Sequence, residues 1–143
     1  MRSSTRFKAM NVIHRILLSA SGGRLGWTAK GMPVLELTTT GRKSGQPHSV
    51  MLTSPLQEGA AIIVVASGGG DRTPPAWFLN VRDSPAVGVR LQGNPKRQMR
   101  GRVATPAERE RLWPRVIAEH HNYAYYQSRT TREIALVLLE PVG

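Results

Sequence analysis

The chain has 143 residues, of which 40% are hydrophobic, 20% charged and 6% aromatic, and it has no cysteine. That is the length of one domain with apolar material enough for a core, while the missing thiols exclude disulfides, thiolate metal sites and a cysteine nucleophile. Twenty Lys and Arg against nine Asp and Glu leave a net charge of +11, an excess that calls for an anionic partner such as a nucleic acid, a lipid surface or a phosphorylated small molecule.

From the start of the chain to Lys30 there are cations and no acid, the first carboxylate being Glu36. Phe7, Met10, Ile13, Ile16 and Leu17 recur at spacings of three and four, which predicts an amphipathic helix ended by Ser21-Gly22-Gly23. His14-Arg15 interrupts the apolar run that a secretion signal needs. The segment 1–30 therefore reads as a basic amphipathic unit ahead of a main domain at 31–143. It either lies on anionic lipid or packs on its own domain.

The period changes to two from Met32, where β-branched residues after Pro33 predict a strand to Thr39. A turn between Gly41 and Gly45 leads to a second strand over 48–53, and Gln57-Glu58-Gly59 predicts a hairpin. The apolar run 61–66 reads as a buried strand ended by Gly68-Gly69-Gly70. One or two helical turns are expected over 77–82, then strands at 86–91 and 98–104. Thr105-Pro106-Ala107-Glu108 is a helix start, with a capping hydroxyl, proline at the first position and glutamate reaching back. That helix is expected to run to about His121 with a kink at Pro114. A shorter helix over 123–128 and a strand over 134–139 complete the chain. Short connections imply antiparallel pairing, and curling into a barrel removes exposed edges. The class is α+β.

Three constellations carry chemistry. In Thr40-Gly41-Arg42-Lys43-Ser44-Gly45-Gln46-Pro47, glycines bracket an Arg-Lys pair and a hydroxyl. Arg grips a phosphate or carboxylate bidentately and Lys adds a mobile charge, although a solvated basic turn has the same composition. In Ala66-Ser67-Gly68-Gly69-Gly70, a glycine run after a strand exposes backbone N–H groups that suit an anion. Ala76-Trp77-Phe78-Leu79-Asn80 follows, with a ring able to wall a flat ligand. In Tyr123-Ala124-Tyr125-Tyr126, residues 123 and 126 share a helix face, and a phenol is protonated at neutral pH and can donate. The run Lys96-Arg97-Gln98-Met99-Arg100-Gly101-Arg102 places Lys96, Gln98, Arg100 and Arg102 on one strand face, a stripe that fits either solvent or a phosphate chain. Its lack of interleaved aromatics argues against single-strand binding.

Taken together and in this order, Leu37-Thr38-Thr39-Thr40-Gly41-Arg42-Lys43-Ser44-Gly45-Gln46-Pro47, Ala66-Ser67 with its glycines, Pro75-Ala76-Trp77-Phe78-Leu79-Asn80 and Tyr126-Gln127-Ser128 resemble the deazaflavin-dependent nitroreductases and quinone reductases of actinobacteria. The resemblance spans about residues 33–141. It implies a split β-barrel of about six mostly antiparallel strands with flanking helices, and coenzyme F420 as cofactor. On that pattern Arg42, Lys43, Ser44, Gly45, Gln46 and Pro47 would hold the coenzyme's phosphate and carboxylates. Ala66, Ser67, Gly68 and Gly69 would border its ring, and Ala76, Trp77, Phe78 and Asn80 would support it. Tyr123 would line the acceptor side, with Tyr126 and Ser67 as catalytic groups. Hydride would pass to a quinone, enone or nitro compound. Three positions depart from the pattern: Gly68 stands for a frequent lysine, His48 for an arginine and His120 for a tyrosine. The expected setting is cytoplasmic, with the N-terminal segment able to meet the inner membrane face and a membrane quinone as one acceptor. A non-catalytic deazaflavin, flavin or haem carrier and a nucleic-acid-binding barrel are the competing readings.

Overall fold

The computed structural model describes residues 28–29 and 31–142. The amphipathic helix expected around Phe7 to Leu17 lies outside them. Eight strands lie among the described residues: β1 (Thr28–Ala29), β2 (Met32–Thr40), β3 (Pro47–Thr53), β4 (Leu56–Glu58), β5 (Ala61–Val65), β6 (Ala86–Leu91), β7 (Arg97–Val103) and β8 (Leu136–Pro141). Among the described residues three α-helices accompany them, α1 (Ala76–Asp83), α2 (Pro106–Glu119) and α3 (His121–Ser128), with one 3₁₀ turn at Gly68–Gly70.

All strand pairs are antiparallel, in the order β4-β5-β8-β7-β6-β2-β3, with β1 against the start of β2. The two edges of this path, β3 and β4, are joined directly through Ser54-Pro55. Ser54 is fully buried. Its N–H donates to the Pro33 carbonyl on β2 (3.0 Å) and its hydroxyl to the Ile63 carbonyl on β5 (2.7 Å). This corner draws the edges toward each other and curls the sheet into a half-barrel.

Two apolar layers follow from the strand period. Leu35, Leu37, Ile62, Val64, Val89, Met99, Val137 and Leu139 point inward and enclose Trp77 and Val81 of α1. Ile63, Val65, Leu136 and Leu138 point outward and are covered by Leu112 and Val116 of α2 and by Tyr123 of α3. Strands β5 and β8 are thus buried on both faces, which is why they read as unbroken apolar runs.

The start of α2 has the expected capping box: Thr105 accepts from the Glu108 N–H and Glu108 accepts from the Thr105 N–H. Arg102 on β7 adds two bonds to Glu108 (2.7 and 2.8 Å) and reaches Glu140 on β8 (2.8 Å). The helix runs through Pro114 to Glu119. Proline removes the bond to the Glu110 carbonyl, but both residues face solvent, so water can satisfy that oxygen. Helix α3 starts two residues earlier than expected. The short β1 and β4 carry too few residues to show a period.

Candidate functional site

The Arg42 turn begins as a hairpin tip between β2 and β3. Gly41 N–H donates to the Gln46 carbonyl and Gly45 N–H to the Gly41 carbonyl, both at 2.8 Å. Gly45 has φ +71, a conformation that favours glycine. A methyl on Gly41 would fall 2.6 Å from Ser44 Oγ and 2.8 Å from the His48 ring. Ser44 Oγ accepts from the Gln46 N–H (3.1 Å) and hydrogen-bonds with His48 Nε2 (3.3 Å). The N–H groups of Gly41, Gly45 and Gln46 are therefore satisfied within the turn. Arg42 and Lys43 are exposed and form no ion pair among the described residues.

Asn80 ties this tip to α1. It is buried, its Nδ2 donates to Thr39 Oγ1 and its Oδ1 accepts from the Arg42 N–H, each at 3.1 Å. The sequence expectation made Asn80 a ligand contact; in the structure its amide holds the base of the turn. From Asn80 the helix runs back to Pro75, about 7.5 Å along its axis. The Pro75 ring then lies 3.6 Å from where a Gly68 side chain would begin.

The glycine loop leaves β5 through Ala66 and Ser67, both buried. Ser67 is right-handed helical (φ −80, ψ −39) and Gly68 is left-handed (φ +52). That alternation turns successive N–H groups toward one point, forming an anion-binding nest. The N–H groups of Ser67, Gly68 and Gly69 have no backbone partner among the described residues, and neither does the Ser67 hydroxyl, in a residue only 4% exposed. A buried hydroxyl without a partner costs about 1–3 kcal/mol, so its persistence beside free donors points to a ligand.

Two arginines hold the back of this loop. Arg132 donates to the carbonyls of Ala66 (3.1 Å), Ser67 (2.8 Å) and Asp71 (2.9 Å), and Arg129 donates to the Gly69 carbonyl (3.2 Å). Burial lowers the Arg132 pKa, against the opposing pull of Asp71. Gly70 (φ +86) rests on α3, its missing side chain only 2.6 Å from the Tyr126 carbonyl. The Arg42 turn, the loop and the tyrosine helix are thus linked through Asn80, Pro75 and Gly70. Sequence reading missed Arg129 and Arg132, because a cation that binds carbonyls some sixty residues away leaves no local pattern.

The tyrosines divide. Tyr123 is a core residue: its hydroxyl pairs with Thr53 Oγ1 (2.9 Å) and donates to Met32 Sδ (3.6 Å). Burial pushes its pKa up. Tyr126 is half-buried, packs edge-on against Tyr123 with centroids 6.0 Å apart, and its hydroxyl has no partner among the described residues. Trp77 lies within the barrel core and meets Phe78 edge-on at 6.4 Å. Ala76 is exposed at the head of α1. Of the basic stripe, Lys96, Gln98 and Arg100 face solvent while Arg102 is held by Glu108 and Glu140, so it cannot follow a phosphate chain. No group of three metal-ligating side chains occurs among the described residues. A separate cavity of about 320 Å³, lined by Ile62, Val89, Leu91, Asn94, Pro95, Arg97 and Met99, contains none of the site residues. It lies at the Leu35 end of β2, opposite the Arg42 turn.

Residues 11–141 match the model of the F420H(2)-dependent quinone reductase family. An F420H(2)-dependent quinone reductase of Mycobacterium tuberculosis is 37% identical over 134 residues, covering 89% of this chain and 87% of the relative. The chain belongs to the F420H(2)-dependent quinone reductase family. A solved F420-H2 dependent reductase, FDR-A, superposes with a TM-score of 0.65 at 35% identity, covering 76% of this chain and 94% of that one. As a family member the chain is an F420-dependent oxidoreductase of split-barrel fold. The residues present fit such a coenzyme. The Ser67 hydroxyl and the nest offer unpartnered donors to a ring edge, and the Arg42 turn offers unpaired cations to a phosphate and carboxylates. A side chain at Gly68 would meet Pro75, Arg132 and Asp71 at 3.6–3.9 Å. No helix among the described residues is long and apolar enough to cross a membrane.

Proposed function

We propose that the coenzyme lies along α1, with its acidic tail on the Arg42 turn and its ring edge on the glycine loop, and that the acceptor is a quinone. The unpartnered, buried Ser67 hydroxyl within the nest carries this reading. Reduced F420 supplies a hydride, and the chain supplies position and charge. Arg42 and Lys43 bind the phosphate and carboxylates, while Ser44, Gly45, Gln46 and Pro47 keep the turn open for them. The N–H groups of residues 67–69 and the Ser67 hydroxyl hold the electron-rich ring edge. Ala66 and Ala76 leave the approach unobstructed, and Trp77 and Phe78 fill the floor beneath.

Tyr126 is the proposed donor to the acceptor oxygen, since its phenol has no protein partner to satisfy first. Tyr123 holds Tyr126 by edge packing and Asn80 holds the turn; both act at one remove. Enones and nitro compounds are further acceptors of the same electron-poor class. Residues 1–30 are the proposed contact with anionic lipid, which would bring the site to membrane quinones. Flotation with anionic vesicles, with and without those residues, tests that point.

The central test is a fluorescence titration of the purified protein with F420, followed by anaerobic oxidation of reduced F420 with menadione. Saturable binding and menadione-dependent turnover are expected. Binding without turnover would favour a carrier, and no binding would remove the reading.

A further inference from the structure

Helix α1 fills only part of the barrel. Its Val81 lies against Gly101 of β7, where a methyl would fall 2.6 Å from Val81 Cγ1, and Trp77 packs in the same cluster. Side chains alternate along a strand, so Met99 and then Arg97 follow Gly101 on the inner face of β7. At their level the interior holds the cavity of about 320 Å³. Its walls are Ile62, Val89 and Met99, all buried, and the half-buried Leu91; its mouth is formed by Asn94, Pro95 and Arg97, all exposed.

Arg97 is the anomaly of that inner face. Its register partner on β6 is Val89, and every wall of the cavity is apolar, yet the mouth carries a guanidinium with no ion pair among the described residues. Lys96 does not share the position. Its stem crosses the outer face, with Cε 2.9 Å from where a Gly88 side chain would begin, so Arg97 is the single cation of the lining. The lip is held in place. Gln92 N–H donates to the Val34 carbonyl and Asn94 N–H to the Leu91 carbonyl, each at 3.0 Å. Gln92 also keeps φ at +53, a left-handed conformation that costs a residue with a side chain. A mouth fixed in this way needs little ordering when a ligand arrives.

We propose that this cavity is a binding site for a medium-chain aliphatic monocarboxylate, its chain among Ile62, Val89, Leu91 and Met99 and its carboxylate on Arg97. Each feature of the ligand answers one of the site. At about 30 Å³ for each non-hydrogen atom, the volume of a water in the liquid, the space takes about ten such atoms. Apolar walls offer no hydrogen bond to a polar body, so the buried part is hydrocarbon. One guanidinium balances one negative charge, and its planar fork matches the two oxygens of a carboxylate. The Asn94 amide, on the same lip, has N–H donors to add. The site lies at the other end of the barrel from the Arg42 turn and is independent of the coenzyme reading.

The experiment is isothermal titration calorimetry of the full chain with octanoate and with 1-octanol, which has the same chain and no charge. Octanoate is expected to bind saturably with a Kd on the order of 100 µM, and with the negative heat-capacity change that marks apolar burial. Arg97→Gln should weaken octanoate about tenfold and leave 1-octanol unchanged. Leu91→Trp, which fills the cavity, should abolish both. The pair Arg42→Ala with Lys43→Ala should alter neither, since those cations lie at the far end. Absence of saturable octanoate binding would overturn the proposal, and so would an Arg97→Gln variant that binds octanoate as the unaltered protein does. Should Leu91→Trp not fold, the exposed Arg97 position decides the matter. With no octanoate heat, a Leu91→Trp variant that changes the sedimentation coefficient would assign the cavity to a second copy of the chain. One that opens residues 1–27 to trypsin would assign it to that segment. Either result overturns the proposal.

Discussion

The Arg42 turn and the glycine loop both present positive potential, and they do so by opposite means. At the turn the charge is on exposed side chains with no ion pair among the described residues, while the N–H groups of Gly41, Arg42, Gly45 and Gln46 are taken by the turn itself and by Asn80. At the loop the charged side chains are behind the backbone, spent on carbonyls, and the open donors are peptide N–H groups and one hydroxyl. Mobile cations suit a flexible, highly charged tail, because they follow it at modest entropic cost. Fixed N–H groups suit a rigid ring that must be held in one orientation, because they need no reorganisation when charge shifts.

This contrast can be broken first at the loop's support. Gly70→Ala puts a methyl 2.6 Å from the Tyr126 carbonyl at a positive φ, and backbone cannot swing aside as a side chain would. A loss of about 3 kcal/mol is expected in chemical denaturation, together with loss of coenzyme binding. A variant of ordinary stability would show that the loop is not wedged as described. Next in size, Arg42→Ala with Lys43→Ala is expected to weaken F420 about 100-fold, as two charge-assisted contacts are removed. The melting temperature should stay within about a degree, because exposed, unpaired cations contribute little to folding.

Ser67→Ala sharpens the comparison by its sign. A loss of about tenfold in coenzyme affinity is expected, while stability without coenzyme holds or rises by about 1 kcal/mol, because an unpartnered buried hydroxyl is removed. A stability loss above that size would mean that the hydroxyl has a structural partner. The tyrosines offer a smaller pairwise test. Tyr123→Phe should cost about 1 kcal/mol through its bond to Thr53, whereas Tyr126→Phe should leave stability alone and lower turnover.

The last effect lies outside both regions. Hydrogen bonds from Arg102, and then from the Thr105 backbone, hold the Glu108 carboxyl at about 2, below its ordinary 4.5. The folded-state pKa is depressed, so this stabilisation is complete above pH 4.5 and is lost as pH falls toward 2. Glu108→Gln should therefore be less stable than the unaltered protein at pH 6, with the gap closing in acid. A gap independent of pH would show that the pair carries no linked stability.

The legible parts of the fold were those with a local cause. Strand β6 falls on residues 86–91 as expected, and Thr105 caps α2 because threonine, proline and glutamate stand at the spacing the cap requires. Pairs that join distant strands, β2 with β6 and β5 with β8, carry no mark in either strand alone. At the site the Arg42 turn and the glycine run were visible as composition. Asn80 was visible too, though its bonds to Thr39 and to the Arg42 N–H were not.

The order of residues by itself determined the antiparallel α+β class, the basic turn, the glycine loop and the family to which they belong, because each depends on neighbours a few positions apart. Tertiary structure alone decided which cations stay free and which are consumed, and which tyrosine is core and which is open. Those outcomes turn on contacts between residues some forty to ninety positions apart, such as Arg132 with Ala66 and Tyr123 with Met32. A hydrogen bond requires its donor and acceptor within about 3 Å, and only the folded chain brings such residues that close.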